Sequence, residues 1–482
     1  MIGARPSLLG RRGFTRGALG IAALLVQAPV RAASDALRMA CSSALTELAG
    51  AAARNRFRLS ACVAELETGE VLGDASAHVP QNPASNQKLL TMAVALDRLG
   101  PNFRFATSLH GRALGVEALS ELVLRGNGDP ELSAATLEQL VRSLAEQGVR
   151  RVDGDLFVDQ SAFDSLWDPP GYEQHPEEWA GYRAPVSAVS LAGNTVTLHV
   201  LGSESGPARA WLSPPGIASI TGEILSGRGL PQNVRYSVRP RGTEFDVVVG
   251  GSVPTEKGEL TFARRIENPE LAPGRVLRAL LAEHGITVAG QVRSGGAEIE
   301  AERVASPSRS LAEIIHALGK RSDNFVAEML LKAVASSDKA GPGSSARGAR
   351  ALEEHLTRLG ALDAGSRLGN GSGLYDANRI SAYALTRTLV SAYNDPRVAP
   401  EFVAALSIGG LDGTLSQRFK AHRTERSVRA KTGTLADAIG LSGYLLTPRV
   451  RVAFSVLLNG VNGKQQEARA RIDSAVENIL RA

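Results

Sequence analysis

Ser85-Asn86-Gln87-Lys88 sets a hydroxyl and an amine three residues apart, at the front of a stretch whose apolar residues Leu89, Leu90, Val94, Leu96 and Leu99 recur with helical spacing. At i,i+3 the two side chains share one helix face. Serine becomes a nucleophile only beside a base. A lysine in contact can be that base once it is neutral, and burial or a second nearby cation both lower its pKa. A helix N-terminus would add positive potential and backbone N–H groups for a developing oxyanion. The motif is weak when it stands alone. A chain of this length holds about one Ser-x-x-Lys by chance, and a second copy, Ser336-Ser337-Asp338-Lys339, runs into a Gly-rich stretch instead of opening an apolar helix. The ordinary work of a serine at Ser85 would be helix N-capping.

Two further short motifs follow in chain order. Ser322-Asp323-Asn324 lies at the break between the helical runs 311–318 and 326–334, where it could equally be a second cap. Lys431-Thr432-Gly433-Thr434 lies on the first of three consecutive strand-like runs. Lys-Thr-Gly has a chance expectation of about one in ten. Gly433 inside a strand signals either a bulge or something that approaches the backbone closely. Helix start, interhelical break and strand are the three supports that a serine nucleophile, its base and a cationic anchor would need.

The elements around these motifs form a pattern. Residues 36–57 read as a helix and 58–72 as a hairpin turning at Thr68-Gly69. The helix after Ser85 stops at Gly100-Pro101. From about 105 to 305 strand-like runs (122–125, 155–158, 195–200, 245–249) sit among Gly and Pro turns, with helices at 137–147 and 275–284. Helical periodicity returns over 306–335 and dominates to about 407. Runs 428–435, 438–446 and 450–458 then read as three antiparallel strands, followed by a helix from about 465 to 480. The expected fold is an α/β sandwich, an antiparallel sheet flanked by helices. Residues 33–104 and 306–482 make its two parts, and 105–305 is a β-rich insertion of one or two extra domains.

The 482 residues are 43% apolar and 21% charged, an ordinary globular composition. The net charge of +5 does not point to nucleic acid, because Arg5, Arg11, Arg12, Arg16 and Arg31 account for all of it. Residues 1–32 read as an export signal: a basic front, an apolar run from Gly17 to Val26, and small residues before a cut after Ala32. Arg11-Arg12 with Phe14 points toward twin-arginine export and leaves the general secretory route open. No later run is long enough for a transmembrane helix, so an exported, periplasmic protein is expected. Cys41 and Cys62 could pair in an oxidising compartment or be two buried thiols.

Other chemistries find no support. The eight histidines show no metal-ligand spacing and there is no H-E-x-x-H, so neither metal nor cofactor is expected. No G-x-S-x-G elbow is present. Glu177-Glu178 and Glu353-Glu354 read as solvated faces.

Taken together, the three motifs match the known trio of penicillin-binding proteins and class A β-lactamases. Their surroundings narrow the match. Pro83-Ala84-Ser85-Asn86-Gln87-Lys88-Leu89 closely resembles the nucleophile motif of class C low-molecular-mass penicillin-binding proteins, the D-alanyl-D-alanine carboxypeptidase/endopeptidases. Gly128-Asp129-Pro130, Ala184-Pro185-Val186-Ser187-Ala188 with Asn194, Ala327-Glu328, Gly371-Ser372-Gly373-Leu374 with Asn378, and Asp412-Gly413-Thr414-Leu415 resemble the same family. The gap of 237 positions from Ser85 to Ser322 fits that family's large insertion and is far longer than in class A β-lactamases. In Asn370-Gly371-Ser372-Gly373-Leu374-Tyr375-Asp376 the chain departs from the family, whose members usually show Asp first and Ser-Arg after Leu.

The resemblance implies a penicillin-binding/β-lactamase-like fold and a role for each matched residue. Ser85 attacks the carbonyl of a D-alanyl bond and is acylated. Lys88 takes its proton, Ser322 relays a proton to the leaving amine, and Asn324 holds Lys88 and the substrate amide. Lys431 supplies positive charge for the terminal carboxylate and depresses the pKa of Lys88. Thr432 or Thr434 touches that carboxylate, beside Gly433. The backbone N–H groups of Ser85 and Thr434 form the oxyanion hole. Water releases the product, whereas β-lactams acylate Ser85 and remain. The implied partners are peptidoglycan peptides ending in D-Ala-D-Ala or cross-linked through D-Ala. Two alternatives stand beside this reading. A scaffold with the fold but no turnover would fail to take up a fluorescent penicillin, and a β-lactamase would release hydrolysed penicillin rapidly.

Overall fold

The computed structural model describes residues 18–241, 244–296, 301–422 and 425–482, with residues 18–34 described by backbone alone. The segment 1–17, the front of the expected export signal, lies outside the described residues, as do the side chains through 34. Among the described residues no helix is long and apolar enough to cross a membrane.

A six-stranded antiparallel sheet organises the part of the chain that carries Ser85 and Lys431. Its order is Ser407–Ile408, Val428–Thr434, Ala438–Leu446, Arg451–Asn459, Arg58–Glu65, Val71–Ala75. The three C-terminal runs pair in sequence, and the early hairpin adds to the last of them, Cys62 opposite Ser455. The central strands are apolar at almost every position because both faces are covered. Along Arg451–Asn459 the period of two sorts the side chains. Val452, Phe454, Val456 and Leu458 pack with the helices Ala18–Asn55 and Gln465–Leu480, whereas Ala453 and Leu457 join the cluster built on Gln87–Leu99, Leu311–Arg321, Asn324–Ser336 and Ala382–Asn394. The result is an α/β sandwich.

The β-rich stretch leaves this body on the strand Arg104–His110 and returns on Glu302–Ser310. The two strands pair antiparallel, His110 opposite Glu302 and Arg104 opposite Ser310, so the excursion begins and ends at one place. Among the described residues the two strands belong to a five-stranded sheet, and between them lie three further sheets and the helices Ala134–Glu146 and Ala272–Glu283, around one apolar cluster that runs from Leu109 to Val304. Residues 306–310, expected to be helical, belong to the strand Glu302–Ser310. The helical run starts at Leu311, where Ser310 and Glu313 form a reciprocal capping box.

Cys41 and Cys62 are both buried free thiols, which settles the open choice against a disulfide. Burial pushes each thiol up to about 12.

Candidate active site

Ser85 does not cap the long helix. It sits in the single 3-10 turn Ala84–Asn86 that leads into Gln87–Leu99, with Asn86 in the capping position and no side-chain cap bond. Ala84 takes a left-handed φ of 47° to make that turn. The Ser85 hydroxyl is thereby freed from capping and turned to Lys88, whose Nζ stands 2.9 Å from Ser85 Oγ.

Lys88 is fully buried. It also donates to Asn324 Oδ1 at 2.8 Å and to the Ser372 carbonyl at 2.7 Å. Desolvation pushes its pKa down to about 7, against the upward pull of Glu328 and, more weakly, Asp323. A neutral amine bonded to a serine hydroxyl is what proton abstraction needs. Burial, rather than the neighbouring lysine, is the main cause.

Ser322 and Asn324 flank the break between two helices. Ser322 closes Leu311–Arg321 in the left-handed region, at φ 61°, and Asp323 caps Asn324–Ser336 by accepting from the Val326 amide. This tight turn points Asn324 at Lys88 and presents Ser322 to the strand that carries Lys431. Lys431 Nζ lies 2.7 Å from Ser322 Oγ and 2.8 Å from the Thr432 carbonyl. It too is fully buried, and its pKa is lowered well below the usual lysine range by desolvation and then by the charge of Lys88. Asn324 Nδ2 donates to the carbonyl of Tyr182, 3.2 Å away, which brings the insertion to the rim.

The strand Val428–Thr434 is covered on its outer side at its start, where the two-residue strand Ser407–Ile408 pairs with Ala430 and Arg429 and the Gly409 amide donates to the Val428 carbonyl. Residues 431–434 are thus a sheet edge beside Ser85. Gly433 is buried there because the 3-10 turn lies on top of it: an added Cβ would stand 2.5 Å from Asn86 Nδ2 and 2.8 Å from the Pro83 carbonyl. Its cross-strand partner Gly440 is held to glycine by the same Asn86 amide, at 2.3 Å. Thr432 Oγ1 donates to Thr414 Oγ1 at 2.8 Å, and Thr434 lines a cleft of about 1030 Å³.

Thr414 carries no sequence signal of its own beyond the Asp412-Gly413-Thr414-Leu415 stretch. It is placed by an ion pair, Lys320 to Asp412 at 2.8 Å, and by the Asp412 carboxylate accepting from the Ile408 amide at 2.7 Å. The Ser372 carbonyl was equally out of reach, since a backbone contact leaves no mark on residue type.

The wall opposite the strand edge comes from the insertion. Arg183, almost fully buried, and Arg265 both donate to the Glu178 carbonyl, at 3.2 and 3.0 Å, and so hold the loop 171–183 on the end of the insertion strand Leu260–Arg265. Glu178 is not the solvated side chain expected of it: its carboxylate takes the hydroxyl of Tyr375 across the cleft. Tyr375 itself holds a left-handed φ of 59° and packs its ring against His175, tilted by 32° with centroids 4.5 Å apart. The Ser336–Lys339 copy of the motif is remote from all of this, with Asp338 paired to Arg347 on the surface.

The chain is similar to known proteins along most of its length. The sequence profile of the D-Ala-D-Ala carboxypeptidase 3 (S13) family matches residues 45–481. The chain is 33% identical, over 95% of its length and 90% of the relative's, to a D-alanyl-D-alanine carboxypeptidase of an Actinomadura species. It is 24% identical to the D-alanyl-D-alanine carboxypeptidase DacB of Haemophilus influenzae, over 84% of this chain and 86% of that one. The crystal structure of penicillin binding protein 4 (dacB) from Haemophilus influenzae has the same fold, with a TM-score of 0.74 at 23% identity over 88% of this chain and 95% of that one. The chain belongs to the D-Ala-D-Ala carboxypeptidase 3 (S13) family, the class C low-molecular-mass penicillin-binding proteins.

Proposed function

We propose that this serine DD-peptidase works through Ser85, with Lys88 as its base, and acts on D-alanyl bonds of peptidoglycan stem peptides or cross-links in the periplasm. The carrying observation is the pair of buried lysines, Lys88 on Ser85 and Asn324, Lys431 on Ser322. Neutral Lys88 takes the Ser85 proton as Oγ forms its bond to the D-Ala carbonyl. The resulting oxyanion is received by the amides of Ser85 and Thr434, each donor being worth about 3–4 kcal/mol in the transition state. When the C–N bond breaks, Ser322 passes a proton to the leaving amine, and Lys431 behind it keeps that hydroxyl polarised. The leaving residue's carboxylate is met by the hydroxyl row Thr432, Thr434 and Thr414 on the open strand edge. Water then attacks the ester by the same proton route in reverse.

A β-lactam would form the same ester and stay; penicillin binding protein 4 of Haemophilus influenzae has been crystallised with a β-lactam. Carboxypeptidase and endopeptidase action share this acylation and differ only in the leaving group. Digestion of purified sacculi by wild type and Ser85→Ala, read by mass, tests the proposal. Free D-Ala marks the first activity and split dimers the second. Neither product, together with no uptake of fluorescent penicillin, would favour a binding scaffold. Rapid release of hydrolysed penicillin would favour a β-lactamase.

A further inference from the structure

Helix Asn324–Ser336 carries Asn324 toward Lys88, and one turn later, on the same face, Glu328. Glu328 is 1% exposed. Its carboxylate accepts the amide of Ser372 at 2.8 Å on Oε1 and that of Gly371 at 3.0 Å on Oε2. The carbonyls of the same two residues are held by the other helix: Ser372 by Lys88 Nζ at 2.7 Å, Gly371 by Thr91 Oγ1 at 2.8 Å. The 371–372 segment is therefore gripped on both sides, with its N–H groups on Glu328 and its carbonyls on the helix that bears the base. Close approach requires Gly371, since an added Cβ would stand 2.6 Å from the Ala327 carbonyl.

We propose that Glu328 is a positioning residue for acylation: it fixes the Ser372 carbonyl that binds Lys88, and it is the buried counter-charge that lets Lys88 hold the proton taken from Ser85. The proposal rests on the reading of Lys88 as base. As Ser85 Oγ–C forms, the Oγ–H proton moves to Lys88 Nζ. The new ammonium keeps its bonds to Asn324 and Ser372, and Glu328 stays ionised throughout.

The charges that bear on this pair come from several elements. Asp323 stands before the Glu328 helix, and Lys431, on the strand, has its own pKa depressed by Lys88. Lys332, one turn beyond Glu328, is paired with Asp164 at 2.7 Å, and the phenol of Tyr172 is held neutral by burial. Glu328 is the larger of the two carboxylate influences that oppose the desolvation of Lys88. Its own pKa is raised by burial and restrained by the Ser372 hydroxyl, by the two amides and by Lys88.

The test is the pH profile of Ser85 acylation by a fluorescent penicillin, in the full chain. Wild type should be half-maximal near pH 7. Glu328→Gln, which keeps the shape and removes the charge, should move that midpoint down by about one unit or more and lower the plateau rate. Glu328→Asp, which keeps the charge, should hold the midpoint near wild type at a reduced rate. Coincident midpoints for wild type and Glu328→Gln, or equal shifts in both variants, would overturn the proposal. A wild type that is not acylated at any pH would instead overturn the reading of Ser85 and Lys88. Should Glu328→Gln not fold, infrared spectra of isotope-edited wild type decide: an ionised buried carboxylate at the acylation midpoint supports the proposal and a protonated one overturns it.

Discussion

Lys88 and Lys431 are both fully buried, one 2.9 Å from Ser85 and the other 2.7 Å from Ser322, and each has its pKa lowered chiefly by desolvation. Two buried amines each contact one serine hydroxyl, and the charge of Lys88 adds to the depression of Lys431.

Acylation should therefore rise with pH through about 7, as Lys88 loses its proton. The second-order rate of penicillin labelling checks this. Lys88→Ala should lower the plateau by about 10³-fold and abolish the limb near pH 7.

Lys88 should also mark the pH dependence of stability. Its folded pKa is below the usual lysine value, so between about 7 and 10.5 the unfolded chain holds more protons than the folded one. Stability contributed at this site is lowest below pH 7 and grows as pH rises through that window. Against Lys88→Met, wild type should be at its greatest disadvantage below pH 7, and the gap should narrow toward pH 10. Paired denaturant titrations measure it.

Ser322→Ala should slow peptide hydrolysis by about 10²-fold or more while leaving the Ser85–Lys88 contact in place. Labelling by penicillin should fall less than peptide turnover, because a β-lactam ring cannot diffuse away as a separate amine. Parallel rates for the two substrates show the split.

Gly433→Ala should destabilise the fold by about 1–3 kcal/mol, since the new methyl meets Asn86 and the Pro83 carbonyl. Labelling of Ser85 should drop with it, as the 3-10 turn is displaced. Thermal unfolding and labelling on the same preparation check both.

What the residues announced in advance was the chemistry that side chains carry. Ser85 with Lys88, the Ser322-Asp323-Asn324 break and a glycine in the Lys431 strand each have a local signature, and the three C-terminal strands show as apolar runs covered on both faces. Hidden features arise from contacts remote in sequence or made by the backbone. The strand Glu302–Ser310 is polar and holds Pro307 at an irregular register, so only its partner about 200 residues earlier makes it a strand. The turn that lifts Ser85 out of the capping position depends on the sheet edge at Gly433 pressing against Asn86. The parts played by Ser372 and Tyr182 are those of carbonyls, which any residue type supplies.

The most direct test of Ser85 as nucleophile is the mass of the intact protein, and of its proteolytic peptides, after incubation with benzylpenicillin. One penicilloyl group on the peptide containing Ser85, absent from Ser85→Ala, is the predicted result. An adduct on another residue, or none on a folded wild type, would contradict the assignment.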